Sequence, residues 1–242
     1  MMDQLLTKTI TSSSTAIDTS SSPNASSSPN NPTTGDQLFW IAYILKEGRF
    51  AFDSLPNKTT VLERQVKIQW ITELVRPNKD ILRGFKNNHH LSITSLETNL
   101  ADEPRLSLPC FFALCILLEK TVVYVNQDTR MFFRGPSFPG GETTIVSSQG
   151  TPPAIRYFAE WEVSSTVEVL TTTYYQMESL KKPIRAISAY KVSELEDIYS
   201  KLHHHAATVG TATTPTPTPS KKLTKTELYA SICSFFPKEQ DE

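Results

Sequence analysis

The sequence predicts an α+β fold, in which a helical half is followed by a small antiparallel sheet and then by a C-terminal pair of helices. Three observations carry this prediction. Apolar residues recur at helical spacing up to about residue 120, short β-branched and aromatic runs follow, and two amphipathic blocks lie near the C-terminus. We therefore divide the chain into a tail at 1–35, a globular domain at 36–180 and a helix pair at 181–238.

The composition limits the protein class. The 242 residues are 38% hydrophobic and 20% charged, with a formal net charge of -1, which suits one globular domain with additional segments. Phosphate-loop, metalloprotease and nucleophile-elbow motifs are absent from the sequence. Three cysteines and no secretory signal pattern predict a reducing, intracellular compartment. The longest apolar runs, LFWIAYIL and CFFALCILL, are too short to span a bilayer, so we expect no membrane partner.

Two segments have a composition that disfavours folding. The N-terminal tail from Ser12 to Gly35 consists mostly of Ser, Thr, Pro and Asn, and it has too little apolar surface to offset its ordering entropy. Residues 205–220, HAATVGTATTPTPTPS, alternate Thr with Pro, which disfavours a helix and suits an extended linker. We expect both segments to be disordered.

The helical half contains three well-marked helix patterns. QLFWIAYILKEG predicts a buried helix that Gly48 closes, and SLPCFFALCILLEK predicts a central buried helix with Ser107 as its N-cap. In TTVLERQVKIQWITELVRP, Thr60 and Glu63 have the spacing of a capping box, and Pro77 ends the helix. NKDILRGFK and SLETNL predict shorter helices.

The following residues favour strands. TVVYV and RMFFR flank a polar turn at Asn126 to Thr129, which predicts a β-hairpin, and TTIVSS predicts another short strand. AIRYFAEWEV has its large apolar residues at alternate positions, which is typical of a half-buried strand. STVEVLTTTYYQMESL favours a helix, although its β-branched residues weaken that pattern.

Two blocks near the C-terminus predict a pair of short amphipathic helices. In KVSELEDIYSKL, Ser193 and Glu196 have capping-box spacing, and in KKLTKTELYASICSFF the corresponding residues are Thr224 and Glu227. The apolar stripes are formed by Leu195, Ile198, Tyr199 and Leu202 in the first block and by Leu228, Ile232 and Phe235 in the second. Each helix is too short to stand alone, so we expect the two to pack on each other or on the core.

Charge distinguishes this pair from the rest of the chain. Between Lys181 and Lys238 there are nine basic and four acidic residues, and such a basic segment favours a polyanionic partner through counterion release. The basic residues gather before each helix, where backbone N–H groups also point outward. The candidate nucleic-acid-binding residues are Lys182, Arg185, Lys191, Lys221, Lys222 and Lys225.

These residues also resemble a known family. VSELEDIYSKL followed by KTELYASI resembles the SAP-type helix–hinge–helix module, in which V-x-E-L-K is followed by K-x-E-L. Val192, Glu194 and Leu195 match the first half of the motif, and Lys225, Glu227, Leu228 and Ile232 match the second. The chain departs from the family in its long Thr-Pro hinge and in Glu196, where a basic residue is common. The resemblance implies DNA binding.

The order of elements resembles that of uncharacterised proteins from large nucleocytoplasmic DNA viruses. The resemblance rests on an LFW-containing helix, an apolar helix, a YV strand and the tail AISAYKVSEL…K-x-ELY. It implies a location in the host nucleus, a cytoplasmic virus factory or the virion. Viral or host proteins are further expected partners, and no activity is implied.

Two non-enzymatic functions stay open at this stage. The first is a nucleic-acid-binding or adaptor protein, in which Tyr190 and Tyr229 stack on bases. The second is a protein-interaction or virion component, in which the helix pair only completes the fold and these aromatic rings pack against apolar stripes.

A third reading is a cysteine hydrolase. The order of an early buried helix, a helical middle and a late sheet resembles the papain-like cysteine peptidases. The early helix contains no Cys, and no His occurs between Leu91 and Leu202, so we expect at most an inactive scaffold of that kind and no enzyme. The alternative nucleophile is Cys110 in the first turn of its helix, with His89 or His90 as its base.

The three consecutive histidines, His203 to His205, are the strongest candidates for metal ligands. Neighbouring positions on a helix point in different directions, and no Cys or acidic residue follows at ligand spacing. We interpret them as a solvated helix end, and we expect no metal and no cofactor.

Overall fold

The helical half is built around a first helix whose apolar residues are almost all buried. The computed structural model describes residues 35–89, 92–151, 154–161, 166–203 and 223–236. Its N-terminal half consists of α1 (Gln37–Glu47), α2 (Arg49–Asp53), α3 (Thr60–Trp70), a π-helical turn (Ile71–Val75), α4 (Lys79–His89), α5 (Ile93–Asp102) and α6 (Leu108–Leu117). The predicted tail, apart from Gly35, and the Thr-Pro linker at 205–220 lie outside the described residues.

The ends of these helices show which local signals are decisive. Gly48 closes α1 with a φ of 86°, and its N–H donates to the Ile44 carbonyl at 2.9 Å, as predicted. Ser107 is the N-cap of α6, as predicted. The predicted cap of α3 is wrong, because Thr59 and not Thr60 is the N-cap, and its side chain accepts the Leu62 N–H at 3.3 Å. The Glu63 side chain is therefore not part of a capping box and turns into the core.

The sheet confirms the α+β class but is mixed and not antiparallel as expected. Its strands are β1 (Thr121–Asn126), β2 (Met131–Arg134), β3 (Thr143–Gln149), β4 (Arg156–Glu160) and β5 (Tyr175–Gln176). Their order is β4-β3-β1-β2-β5. The predicted hairpin β1–β2 is confirmed, and β3–β4 is also antiparallel, whereas β1–β3 and β2–β5 are parallel.

The connection between β2 and β3 explains the parallel pair at the centre. β2 runs back toward the start of β1. Residues 135–142 then pass the start of β1 to its other side, where β3 begins. Thr121 fixes this crossing, since its hydroxyl accepts the Phe138 N–H at 2.9 Å. Gly135 leaves the necessary space, because a Cβ there would lie 2.9 Å from the Phe112 ring. The segment between β2 and β3 therefore leads to the side of β1 opposite β2. For this reason β3 pairs with β1 and not with β2.

Both faces of the sheet are covered. Val122, Tyr124 and Val146 point to the helical half and share its core, whereas Val123 and Ile145 point to the other face. A helix, α7 (Thr166–Thr173), covers that second face with Leu170. The segment predicted as one helix therefore divides into α7 and the edge strand β5.

The C-terminal helices are α8 (Val192–His203) and α9 (Lys225–Cys233), and a 3₁₀ turn at Ile187–Ala189 precedes them. They pack on each other, and α8 also contacts β5 at the edge of the sheet. Within the described part of the chain, no helix is both long and apolar enough to cross a membrane.

Candidate functional site

The predicted helix pair forms a packed unit. Leu195, Ile198 and Leu202 of α8 are buried together with Leu228 and Ile232 of α9, as the two apolar stripes predict. The same buried cluster includes Tyr175 and Met177 at the sheet edge. The apolar stripes of the pair are thus used for packing.

Each helix of the pair has a carboxylate at its N-terminus. The predicted capping box of α9 is confirmed, because Thr224 and Glu227 each accept the backbone N–H of the other. The Thr224 N–H donates to Glu227 at 2.7 Å and lowers the pKa of that carboxyl. In α8 the predicted pair Ser193–Glu196 is wrong, because the helix begins earlier and Glu194 accepts the Lys191 N–H at 2.6 Å.

The candidate basic residues differ in their surroundings. Lys182 and Lys191 are exposed, and Lys225 is the first residue of α9. Arg185 is also exposed but forms an ion pair with Glu178 at 2.6 Å, and this contact raises the pKa of its guanidinium. Lys221 and Lys222 lie outside the described residues.

Tyrosine hydroxyl groups hold the basic segment before α8 in place. Tyr229 donates to the Arg185 carbonyl at 2.8 Å, and Tyr190 accepts the Arg185 N–H at 3.1 Å. Tyr175 donates to the Pro183 carbonyl at 3.0 Å. Because Lys225 is one helical turn before Tyr229, it lies on the face of α9 that this segment contacts. The Tyr229 hydrogen bond thus anchors the segment that carries Lys182 and Arg185 to α9, the helix that begins at Lys225.

Cys110 does not have the surroundings of an activated nucleophile. Its side chain is buried, and its Sγ lies 3.8 Å from the Ser95 carbonyl oxygen. Burial raises the pKa of this thiol, and the hydrogen bond with Ser107 offsets only part of that rise. A thiol with a raised pKa is less often present as the nucleophilic thiolate at neutral pH. His90 and the His89 side chain, the proposed bases, lie outside the described residues.

Metal ligands do not cluster in the described ranges of the chain. No group of three His, Cys, Asp or Glu side chains there could hold a metal ion. His203 ends α8, and His204 and His205 lie outside the described residues.

The sequence analysis missed a buried ionic cluster in the helical half. Asp36, Glu63 and Lys67 are 4%, 6% and 2% exposed. The Lys67 Nζ lies 2.8 Å from Asp36 Oδ2 and 2.9 Å from Glu63 Oε1. The only sequence signal was the i, i+4 spacing of Glu63 and Lys67, which is common on exposed helix faces. Asp36 is distant in sequence, so the cluster could be found only in the folded chain.

A cleft lies beside this cluster. It has a volume of about 530 Å³ and is lined by residues from the start of α1, the start of α6 and the start of β4. Arg105 and Arg156 contribute the basic groups of its lining, and Asp36 contributes the carboxylate. The cleft therefore combines two cations with one carboxylate that is already paired to Lys67.

Comparison with models of protein families, with curated proteins and with solved structures finds no match to this chain. The resemblances to SAP-type modules and to viral proteins therefore stay predictions that rest on the residues quoted above.

Proposed function

We propose that this chain is a non-enzymatic nucleic-acid-binding protein and that its partner is duplex DNA. The observation that carries the proposal is the anchoring of the segment around Arg185 by tyrosine hydroxyl groups against α9. This anchoring supports the proposal because it holds the segment of Lys182 and Arg185 against α9, the helix that Lys225 begins. The binding residues are Lys182, Arg185, Lys191, Lys221, Lys222 and Lys225.

The lysines supply most of the attraction in this proposal. Glu194 and Glu227 already neutralise the N-terminal ends of α8 and α9, so the helix dipoles contribute less than the motif alone predicts. Lysine ammonium groups act as point charges and contact phosphates. Such contacts carry affinity and little sequence preference.

The competing function is a protein-interaction or virion component. It is favoured by the charge balance of residues 178–203 and 223–236, which contain six basic and five acidic residues. The ion pair of Arg185 with Glu178 also reduces the charge available to a phosphate. Lys221 and Lys222, which precede α9, thus supply two of the five excess basic charges between Lys181 and Lys238.

The proposed setting is intracellular. The resemblance to proteins of large nucleocytoplasmic DNA viruses supports a role in viral replication, transcription or packaging. The host nucleus, a cytoplasmic virus factory and the virion are the locations that this role allows.

The test is fluorescence-anisotropy binding of the full chain to short duplexes of two unrelated sequences. The variant replaces Lys221, Lys222 and Lys225 with Gln. We expect it to weaken binding to both duplexes by a similar factor, because phosphate contacts do not discriminate between sequences.

The control variant removes the same charge from the helical half and the start of the sheet. It replaces Arg64, Arg83 and Lys120, which are exposed, with Gln. Equal losses of affinity in both triple variants would mean that only net charge matters. If the variant at Lys221, Lys222 and Lys225 binds as tightly as the unmodified chain, the helix pair does not bind DNA. That result would favour a protein-interaction or virion component.

A further inference from the structure

The cleft beside α1 has the dimensions of a small-molecule site. Its volume of about 530 Å³ falls within the range of roughly 300–1,000 Å³ that is typical of such sites. Its lining comes from three separate parts of the chain, at residues 35–37, 105–107 and 154–157. The Tyr157 N–H donates to the Gln37 side chain at 2.8 Å and fixes two of these parts relative to each other.

The carboxylate in the cleft lining already has hydrogen-bond partners. Asp36 is the only carboxylate among the described lining residues. Its oxygens accept hydrogen bonds from the Lys67 ammonium at 2.8 Å, from the Phe39 N–H at 3.2 Å and from the Leu106 N–H. A bound anion therefore does not meet an unpaired carboxylate at this wall.

The positive charge in the cleft points to an anion. Arg105 and Arg156 are both exposed, and Arg156 has no ion-pair partner among the described residues. The N-terminus of α6 adds a positive helix end, since its cap is the neutral Ser107 and its first turn contains no acidic residue. Two guanidinium groups and a helix end together favour a doubly charged group over a single carboxylate.

We propose that this cleft binds a small molecule that carries a phosphate group, with Arg105 and Arg156 contacting the phosphate oxygens. Guanidinium groups match phosphate because their N–H groups form two parallel bonds to its oxygens. A phosphate alone fills a small part of the cleft. The remaining lining includes the apolar residues Leu106 and Ile155, so the rest of the ligand has an apolar face.

The test uses phenyl phosphate, inorganic phosphate and benzoate as probes, each titrated into the full chain at constant ionic strength. Amide chemical shifts report the position of binding. We expect changes at residues 35–37, 105–107 and 154–157, with phenyl phosphate binding more tightly than inorganic phosphate and than benzoate. No shift at these residues, or benzoate binding as tightly as phenyl phosphate, would overturn the proposal.

Two variants test the arginines. Arg105→Gln and Arg156→Gln should each weaken phenyl phosphate binding by about 10-fold to 100-fold. The affinity of Arg156→Lys for phenyl phosphate should lie between that of Arg156→Gln and that of the unmodified chain. Arg83→Gln, on an exposed face of α4 outside the cleft, should leave binding unchanged. If Arg105→Gln unfolds the protein, the Arg156 variants decide alone. Unchanged affinity in Arg156→Gln would contradict the assignment.

Discussion

The Lys67 ammonium lies 2.8 Å from Asp36 Oδ2, and both side chains are almost completely excluded from solvent. This pair joins the start of α1 to α3. Because Asp36 also accepts the Leu106 N–H, the pair reaches the segment that precedes α6. Burying charges is costly unless each is paired and hydrogen-bonded, and here Asp36 meets that condition through three donors.

Lys67→Met should destabilise the protein strongly. Removal of one partner leaves Asp36 and Glu63 as neighbouring buried carboxylates, and such a change costs about 3–5 kcal/mol in the free energy of unfolding. Urea unfolding followed by circular dichroism measures this quantity. Lys46→Met is the matched control, because Lys46 pairs with Glu47 near the surface and should change stability little. A destabilisation by Lys67→Met no larger than that of the control would contradict the role of the cluster.

Two glycine substitutions should act in opposite directions. Gly35 has a φ of 76°, and a Cβ there would lie 3.0 Å from Glu63 Oε2, so Gly35→Ala should lower the melting temperature. Gly84 lies inside α4 with nothing within 4 Å of an added Cβ, so Gly84→Ala should stabilise by up to about 1 kcal/mol. Thermal unfolding of both variants provides the comparison, and a stabilised Gly35→Ala would be the contrary result.

Tyr157 should make stability depend on alkaline pH. Burial, with smaller contributions from Tyr124 and Asp36, raises its pKa from 10.0 to about 12 in the folded protein. A raised pKa means that the folded state holds the proton longer, so the stability from this group is complete below pH 10 and is lost as pH rises toward 12. Tyr157→Phe removes the group, and its free energy of unfolding should fall less steeply over this range than that of the unmodified chain. Equal slopes would show that Tyr157 titrates normally.

Cysteine labelling should follow exposure and should not favour Cys110. Cys110 and Cys115 are buried, and burial raises both thiol pKa values, whereas Cys233 is only half-buried. A thiol-reactive electrophile at neutral pH should therefore modify Cys233 first, with mass spectrometry of peptides as the readout. Fast and selective modification of Cys110 in the folded protein would contradict this expectation and support a cysteine hydrolase.

Local signals in the sequence predicted the elements whose ends are fixed by one residue. Gly48, Ser107 and Thr224 have the predicted positions, because a positive φ or a side-chain cap depends on neighbours in sequence. Glu63 shows the limit of this reasoning. Its spacing from Thr60 suits a cap, yet burial beside Lys67 and Asp36 determines its contacts, and Asp36 is 27 residues away.

The sheet and the candidate binding site were predicted only in part, for a similar reason. The hairpin at Asn126 to Thr129 could be predicted, since Asn126 accepts the N–H groups of Asp128 and Thr129 within the turn. The parallel pairing of β3 depends on a loop that passes the start of β1 to its other side, which periodicity does not encode. The sequence likewise marked the basic residues around Arg185, whereas the tyrosine contacts that anchor this segment join distant parts of the chain.

The most direct test of the nucleic-acid proposal is the salt dependence of duplex DNA binding by the full chain. We expect log affinity to fall linearly with log salt concentration, because each phosphate that a lysine neutralises releases counterions. Replacement of Lys221, Lys222 and Lys225 should flatten this slope by about 0.9 for each phosphate that is no longer neutralised. No salt-dependent binding to duplex DNA, or an identical slope in the unmodified and the substituted chain, would contradict the proposal.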